Sequence, residues 1–229
     1  AIALPAPELP MDEASRMARA KEMGFDVDLY HGGRATGEEG VHISGEFDDR
    51  GLGMHVGTRE QASQRLRQTR DERRLEGENI LPLKVRIKNP IELPDAGEHD
   101  NPRIVAEEYL KTDFGRRNQD ALSEILSEAE ELAPQFEDID AWKASPEAEE
   151  LLQEIRQLII DEGYDSIKYK NVVENQYGDN SPYSYILFDT RNIRSRFAKF
   201  DPAKKGSADI GHAAGGFVAK PLYDDARII

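Results

Sequence analysis

Gly53-Met54-His55-Val56-Gly57-Thr58-Arg59-Glu60-Gln61-Ala62 holds a strand end and a helix start within ten residues. Gly53-Met54-His55-Val56-Gly57-Thr58 reads as a short strand ending at a helix start. Thr58 and Gln61 stand at capping-box spacing, Thr-x-x-Gln, which predicts a helix from about 59 to 72. Leu29-Tyr30-His31-Gly32-Gly33 repeats the theme, with a strand ending in an aromatic and a histidine beside glycine. Glycine after such residues lets the backbone approach a flat ligand closely.

Upstream, residues 1–10 form a Pro-rich lead-in, and Asp12 caps a helix over 12–23 that stops at Gly24. Residues 34–52 are Gly- and Asp-rich, hence loop. Downstream, Leu81, Leu83, Val85 and Ile87 alternate with Lys84, Arg86 and Lys88, the pattern of a half-buried strand over 80–88. Pro82 is expected at an edge or bulge, and Asn89-Pro90 as a turn. Helix patterns occupy 103–112 and 119–132, and a third starts at Ser145-Pro146 and stops at Gly163. Ile167 and Tyr169 mark a strand. Tyr183 to Phe188 reads as a central strand, and Ile193 as the start of an edge strand. From 201 the tail is expected to fray.

The chain has 229 residues, enough for one domain with a large insertion, and a formal net charge of −15. Residues 92–162 hold 21 acidic and 6 basic side chains, so this segment carries the whole excess and the remainder is neutral. Such a balance argues against nonspecific binding to nucleic acid and against adhesion to anionic lipid. There is no cysteine, which excludes disulfides, thiolate zinc sites and cysteine nucleophiles. No apolar run approaches the ~18 residues of a membrane span. The N-terminus lacks the basic region of a signal peptide, and its prolines read as the end of a linker. A cytoplasmic protein, or one delivered into a target cell, is expected.

Common site motifs fail. Gly51-x-Gly53-x-x-x-Gly57 has the wrong spacing for a dinucleotide turn, and no P-loop or zinc-protease helix is present. The histidines (His31, His42, His55, His99 and His212) contain no i,i+4 pair, so no metal site is expected. His42, His99 and His212 read as loop histidines. Trp142 reads as a packing anchor of the acidic segment. Arg191, Arg194, Arg196 and Lys199 read as a solvated basic face or a dock for an anionic target.

Taken in order, the pieces form a set: Tyr30-His31-Gly32, then Gly53-x-His55-Val56-Gly57-Thr58-x-x-x-Ala62, then Gly163-Tyr164-Asp165-Ser166-Ile167-x-Tyr169-x-Asn171-x-x-Glu174, then Ser184-Tyr185-Ile186-x-Phe188-Asp189. This set resembles the ADP-ribosyltransferase domains of "polyvalent" proteins of phages, prophages and bacterial toxins. Those are distant relatives of poly-ADP-ribose polymerases and diphtheria-type toxins. The resemblance covers roughly 29–91 and 163–200. It implies an α+β fold with a split β-sheet core around an NAD cleft and an acidic helical insertion. It divides the chain into a lead-in and helix at 1–28, a transferase-like domain at 29–200 with the insertion at 92–162, and a flexible tail at 201–229.

The resemblance further implies that NAD is the co-substrate. His31 would bond the adenosine ribose, and Gly32 the nicotinamide amide through its backbone. His55 would pack on the nicotinamide ring. Tyr30, Gly33, Gly57, Thr58 and Asn171 would complete the cofactor-binding set. Glu174, with His55, would be catalytic, because the Glu of polymerase-like members falls on Ser184 here. The implied function is mono-ADP-ribosyl transfer to a macromolecular target, protein rather than nucleic acid, by a toxin or effector module. An immunity protein or other basic partner would meet the acidic insertion. The alternative is a non-catalytic NAD-binding or structural module of a phage protein.

Overall fold

Asp12 opens the first helix as expected. Its carboxylate accepts the Ser15 N–H at 2.9 Å, and α1 (Glu13–Glu22) follows. The computed structural model describes residues 8–34, 51–72, 78–172 and 182–208. The remaining elements are β1 (Val27–Arg34), β2 (Met54–Val56), α2 (Arg59–Glu72), β3 (Glu78–Val85) and β4 (Pro90–Glu92). They continue as α3 (Pro102–Leu110), α4 (Asp113–Arg117), α5 (Gln119–Leu132), α6 (Ile139–Lys143) and α7 (Pro146–Asp161). The chain returns to β-structure in β5 (Ser166–Lys170), β6 (Tyr183–Leu187) and β7 (Ile193–Ser195). The class is α+β, with two sheets and seven α-helices among the described residues. None of these helices is long and apolar enough to cross a membrane.

The first sheet runs β1-β3-β7 and is antiparallel. The second runs β2-β6-β5-β4, with β4 parallel to β5. Pro82 lies in the central strand of the first sheet, not at an edge. Its partner Tyr30 turns its own backbone groups away, toward Gly57. On the other side, β3–β7 pairing ends at Leu83↔Ser195, one residue short of Pro82, whose carbonyl accepts the Arg196 N–H at 3.0 Å. The missing proline donor therefore falls where the ladder already stops. Pro90 does not merely turn the chain. It opens β4, at a sheet edge and at the first position of a strand, where proline is tolerated.

The acidic segment shares the largest core of the chain. Val105, Tyr109, Leu122, Ile125, Trp142, Leu151, Ile155 and Ile159 pack in one cluster with Ile91 of β4, Ile167 of β5 and Ile186 of β6. Trp142 is fully buried against Phe136, with ring centroids 5.3 Å apart. The apolar side chains of these helices are buried in that shared cluster while most of their carboxylates face solvent, so the charge excess lies on the outer face of a structural layer. The expected 103–112 helix is α3, and Thr112 ends it two residues early and starts another. Its hydroxyl donates to the Tyr109 carbonyl at 2.6 Å and accepts the Gly115 N–H at 3.0 Å, capping α4. A smaller core of Leu29, Met54, Val56, Leu83, Val85, Leu187 and Ile193 lies between the two sheets. Helix α1 closes a third, with Ala20, Met23 and Phe25 against Ala198 and Phe200.

Of the basic cluster read as a face or dock, Arg194 is committed internally, while Arg191 is exposed and Arg196 and Lys199 are half-buried. Arg194 is 1% exposed and donates to the carbonyls of Ile193 and Ser207, both at 2.6 Å. Its guanidinium lies 5.0 Å from the centre of the Phe25 ring. Arg196 pairs with Glu13 and Arg191 with Asp189.

Because the acidic helices cover one face of the second sheet, deleting 98–160 is expected to abolish the cooperative thermal transition. Trp142→Ala is expected to cost about 3–5 kcal/mol in urea denaturation, through the cavity it opens.

Candidate functional site

Tyr30 and Gly57 exchange two backbone hydrogen bonds, Tyr30 N–H to Gly57 O at 2.8 Å and Gly57 N–H to Tyr30 O at 3.0 Å. This antiparallel bridge ties β1 of the first sheet to the end of β2 in the second. Beside it opens a small cleft, open to solvent. Tyr30 and Gly32 line it from β1, and His55 and Gly57 from β2 and its end. Gln61 and Arg65 project from α2. Tyr169, Asn171 and Ser184 come from β5, its end and β6.

The base of the cleft is a chain of buried amides and hydroxyls. Thr58 and Gln61 form the expected capping box: the Thr58 N–H donates to Gln61 Oε1 at 2.8 Å, and the Gln61 N–H to Thr58 Oγ1 at 3.2 Å. Gln61 Oε1 also accepts the Ser184 hydroxyl at 3.2 Å, and Ser184 Oγ accepts from Asn171 Nδ2 at 2.9 Å. All three side chains are 3% exposed. Gly57 sits so tightly against Gln61 Oε1 and Ser184 Oγ that a Cβ there would collide with both. A Cβ on Gly32 would come 2.5 Å from the Ala62 carbonyl oxygen. Both glycines thus let α2 approach the strands, a packing reason beside the ligand reason the sequence suggested.

His31 Nδ1 lies 2.8 Å from the His55 carbonyl oxygen. A carbonyl only accepts, so Nδ1 carries the proton and Nε2 of the neutral ring is an acceptor. Burial lowers the His31 pKa, and the Arg65 charge lowers it further, against the opposing effect of the His55 carbonyl bond. Burial places His55 well below the ordinary range, assisted by the charges of His99, Arg65 and His31. Its Nδ1 lies 3.2 Å from the Tyr169 hydroxyl. Both imidazoles are neutral at pH 7.

His99 lies in a turn, as expected of a loop histidine, but its side chain is buried. Its side chain is 9% exposed, and its ring centroid lies 5.0 Å from that of His55 and 4.8 Å from that of Tyr169. Nε2 stands 3.8 Å from Asp95 Oδ1. Asp95 in turn accepts the backbone N–H groups of Gly97 at 2.9 Å and Val172 at 3.0 Å. Burial pushes the His99 pKa down to about 4, although Asp95 and Asp100 favour its charged form.

The fold therefore brings Tyr30, Gly32, His55, Gly57 and Asn171 to one cleft, with His31 and Thr58 holding its walls. Gly33 lies in β1 opposite Asn79. Glu174 lies outside the described residues. Sequence reasoning did not assign Arg65, Tyr169, Ser184 or His99 to the site as ligand contacts. For Arg65 a signal was present: it follows the capping residue Gln61 by one helical turn, so it shares that face of α2. For Tyr169 the signal was its place two residues before Asn171 on alternating strand positions. His99 had none, because its approach is tertiary. Among the described residues no group of three or more His, Asp or Glu side chains is placed to hold a metal ion. Comparison of the chain with family models, curated proteins and solved structures finds no match.

His99 titrates near 6.5 when unfolded and near 4 when folded. Between those values the unfolded state binds more protons, so stability rises with pH across the window and is lost on acidification. Full protonation below that window costs the folded state on the order of 3 kcal/mol relative to neutral pH. His31 and His55 act with the same sign. The expected result for His99→Phe is a slope of unfolding free energy against pH smaller by up to about one proton in that window, read from urea titrations. Gly32→Ala is expected to cost about 1–3 kcal/mol, because β1 or α2 must shift.

Proposed function

We propose that the chain is an NAD-dependent mono-ADP-ribosyltransferase, a toxin or effector module of phage or prophage type acting on a macromolecular target, protein rather than nucleic acid. One observation carries this: the segments that resemble the transferase motifs, far apart in sequence, line a single cleft between two sheets. Tyr30 and Gly32 come from the first, His55 and Gly57 from the second, and Asn171 from the third. In this proposal the two sheets are the split core around the NAD cleft, and the acidic helices are its insertion.

The chemistry of the cleft supports the assignment. The nicotinamide ring of NAD is cationic, and a neutral His55 can lie against it without charge repulsion. In this proposal His31, held by its Nδ1 bond to the His55 carbonyl, is the residue assigned to a ribose hydroxyl. Gly32 exposes backbone beside the ring, where a carboxamide needs one donor and one acceptor. In the reaction the bond between C1′ and the nicotinamide nitrogen breaks, and nicotinamide leaves with the electron pair. The positive charge develops on the ribose, as in glycoside cleavage. An acceptor nucleophile on the target bonds to C1′ and gives up its proton. Glu174, three residues after Asn171, is assigned to stabilise the ribose charge and orient the nucleophile.

The alternative, an NAD-binding module without turnover, draws on one observation. Ser184, at the position of the polymerase Glu, is buried and held between Asn171 and Gln61, and no carboxylate lines the cleft among the described residues. Incubation with NAD separates the two. The transferase releases nicotinamide, and His31→Ala and Glu174→Ala each lower the rate roughly 10- to 1000-fold. Full activity in both variants overturns the site assignment, and NAD binding with no release selects the alternative.

A further inference from the structure

Three aromatic rings meet at one side of the cleft, and they are not evenly spaced. His55 and Tyr169, which both line the cleft, have ring centroids 6.1 Å apart. The His99 ring stands behind them, 5.0 Å from the first and 4.8 Å from the second. It is a wedge, edge-on to His55 at 63° and tilted against Tyr169 at 51°. His55 Nδ1 and the Tyr169 hydroxyl also meet at 3.2 Å, a contact that holds only while both rings keep their orientation.

The wedge is fastened by the acidic segment. Glu98 and Asp100, on either side of His99, are both held by Lys143 of α6, each at 3.1 Å. The Asn101 N–H donates to the Glu98 carbonyl at 3.1 Å. Asp95 accepts the Gly97 N–H of the same turn and the Val172 N–H, next to Asn171 of the cleft. The turn is thus tied to α6 on one side and to the end of β5 on the other. His99 Nε2 is buried, 3.8 Å from Asp95 Oδ1, and has no hydrogen-bond partner among the described residues. At that atom nothing anchors the ring, so its tilt is set by the pinned backbone and by the two rings it touches.

We propose that His99 is a positioning residue of the cleft: its flat ring, carried by the acidic segment, sets the orientation of His55 and Tyr169 and so the surface that a planar ligand group meets. That this ligand is NAD rests on the transferase reading above, but the hold of His99 on the two rings does not. The acidic segment then supplies part of the site as well as part of the core.

The test uses the full chain with two variants. His99→Leu fills the space without a flat ring, and His99→Phe keeps one. Both replace an unpaired buried nitrogen with carbon, and urea denaturation at pH 7.5 checks that each is folded. NMR then reads the His55 ring-nitrogen shifts, which report its contact with the Tyr169 hydroxyl, and the flip rate of the Tyr169 ring. Calorimetry measures NAD affinity. The expected result is that His99→Leu displaces the His55 shifts, speeds the Tyr169 flips and weakens NAD roughly 10- to 100-fold. His99→Phe should keep the NMR signature and recover most of the lost affinity. A side chain that merely fills space would make the two variants alike. No NAD binding by any chain, with the NMR signature lost in His99→Leu and kept in His99→Phe, retains the positioning role and overturns the transferase reading. An NMR signature that is the same in both variants overturns the role of His99. So does NAD binding by the original chain that is matched, or equally weakened, in both variants.

Discussion

The two hydrogen bonds between Tyr30 and Gly57 are the joint on which the site depends. Each belongs to a different sheet, and no longer ladder connects β1 with β2. The joint forms because Tyr30 stands opposite Pro82 at a position of the β1–β3 ladder where its backbone N–H and C=O point away from β3, toward Gly57. On the far side, Gly57 has no Cβ, so Gln61 and Ser184 can close against it. The register of one ladder and one missing side chain thus let the two sheets meet, and the cleft is the space beside that meeting.

The same tightness explains the electrical character of the cleft. Amides and hydroxyls buried at its base satisfy one another, from Thr58 through Gln61 and Ser184 to Asn171. Burial keeps His31, His55 and His99 uncharged. The helix carboxylates of the acidic segment lie on its outer faces, and Asp95 and Asp100, which favour a charged His99, do not overcome its burial. The acidic segment contributes from behind: Asp95 pins Val172, at the start of the segment that leads to Glu174, and His99 fills the space behind His55 and Tyr169. The −15 that dominates the composition is a property of an outer layer, and that layer is part of the core of the second sheet.

Much of the fold was legible residue by residue. Asp12, Thr58 with Gln61, and Ser145 with Pro146 each mark a helix start that the structure contains, because capping is local chemistry. The stripe of Leu122, Ile125 and Ala129 is buried as its spacing predicts. Pro82 was misplaced because whether a missing donor matters depends on where a neighbouring ladder stops. Arg194 looked like a surface charge, since nothing local signals that the chain near Ser207 folds back to accept its hydrogen bonds.

What the sequence by itself determined is therefore the set of elements, their caps and the residues worth watching at strand ends, all governed by interactions within a few residues. Only the tertiary structure decided that Tyr30 meets Gly57, that His99 stands against His55, that Arg65 shares a cleft with Asn171, and that the acidic helices are core to the second sheet. Those facts depend on contacts between residues tens of positions apart, where burial and geometric fit, not local propensity, select the partner.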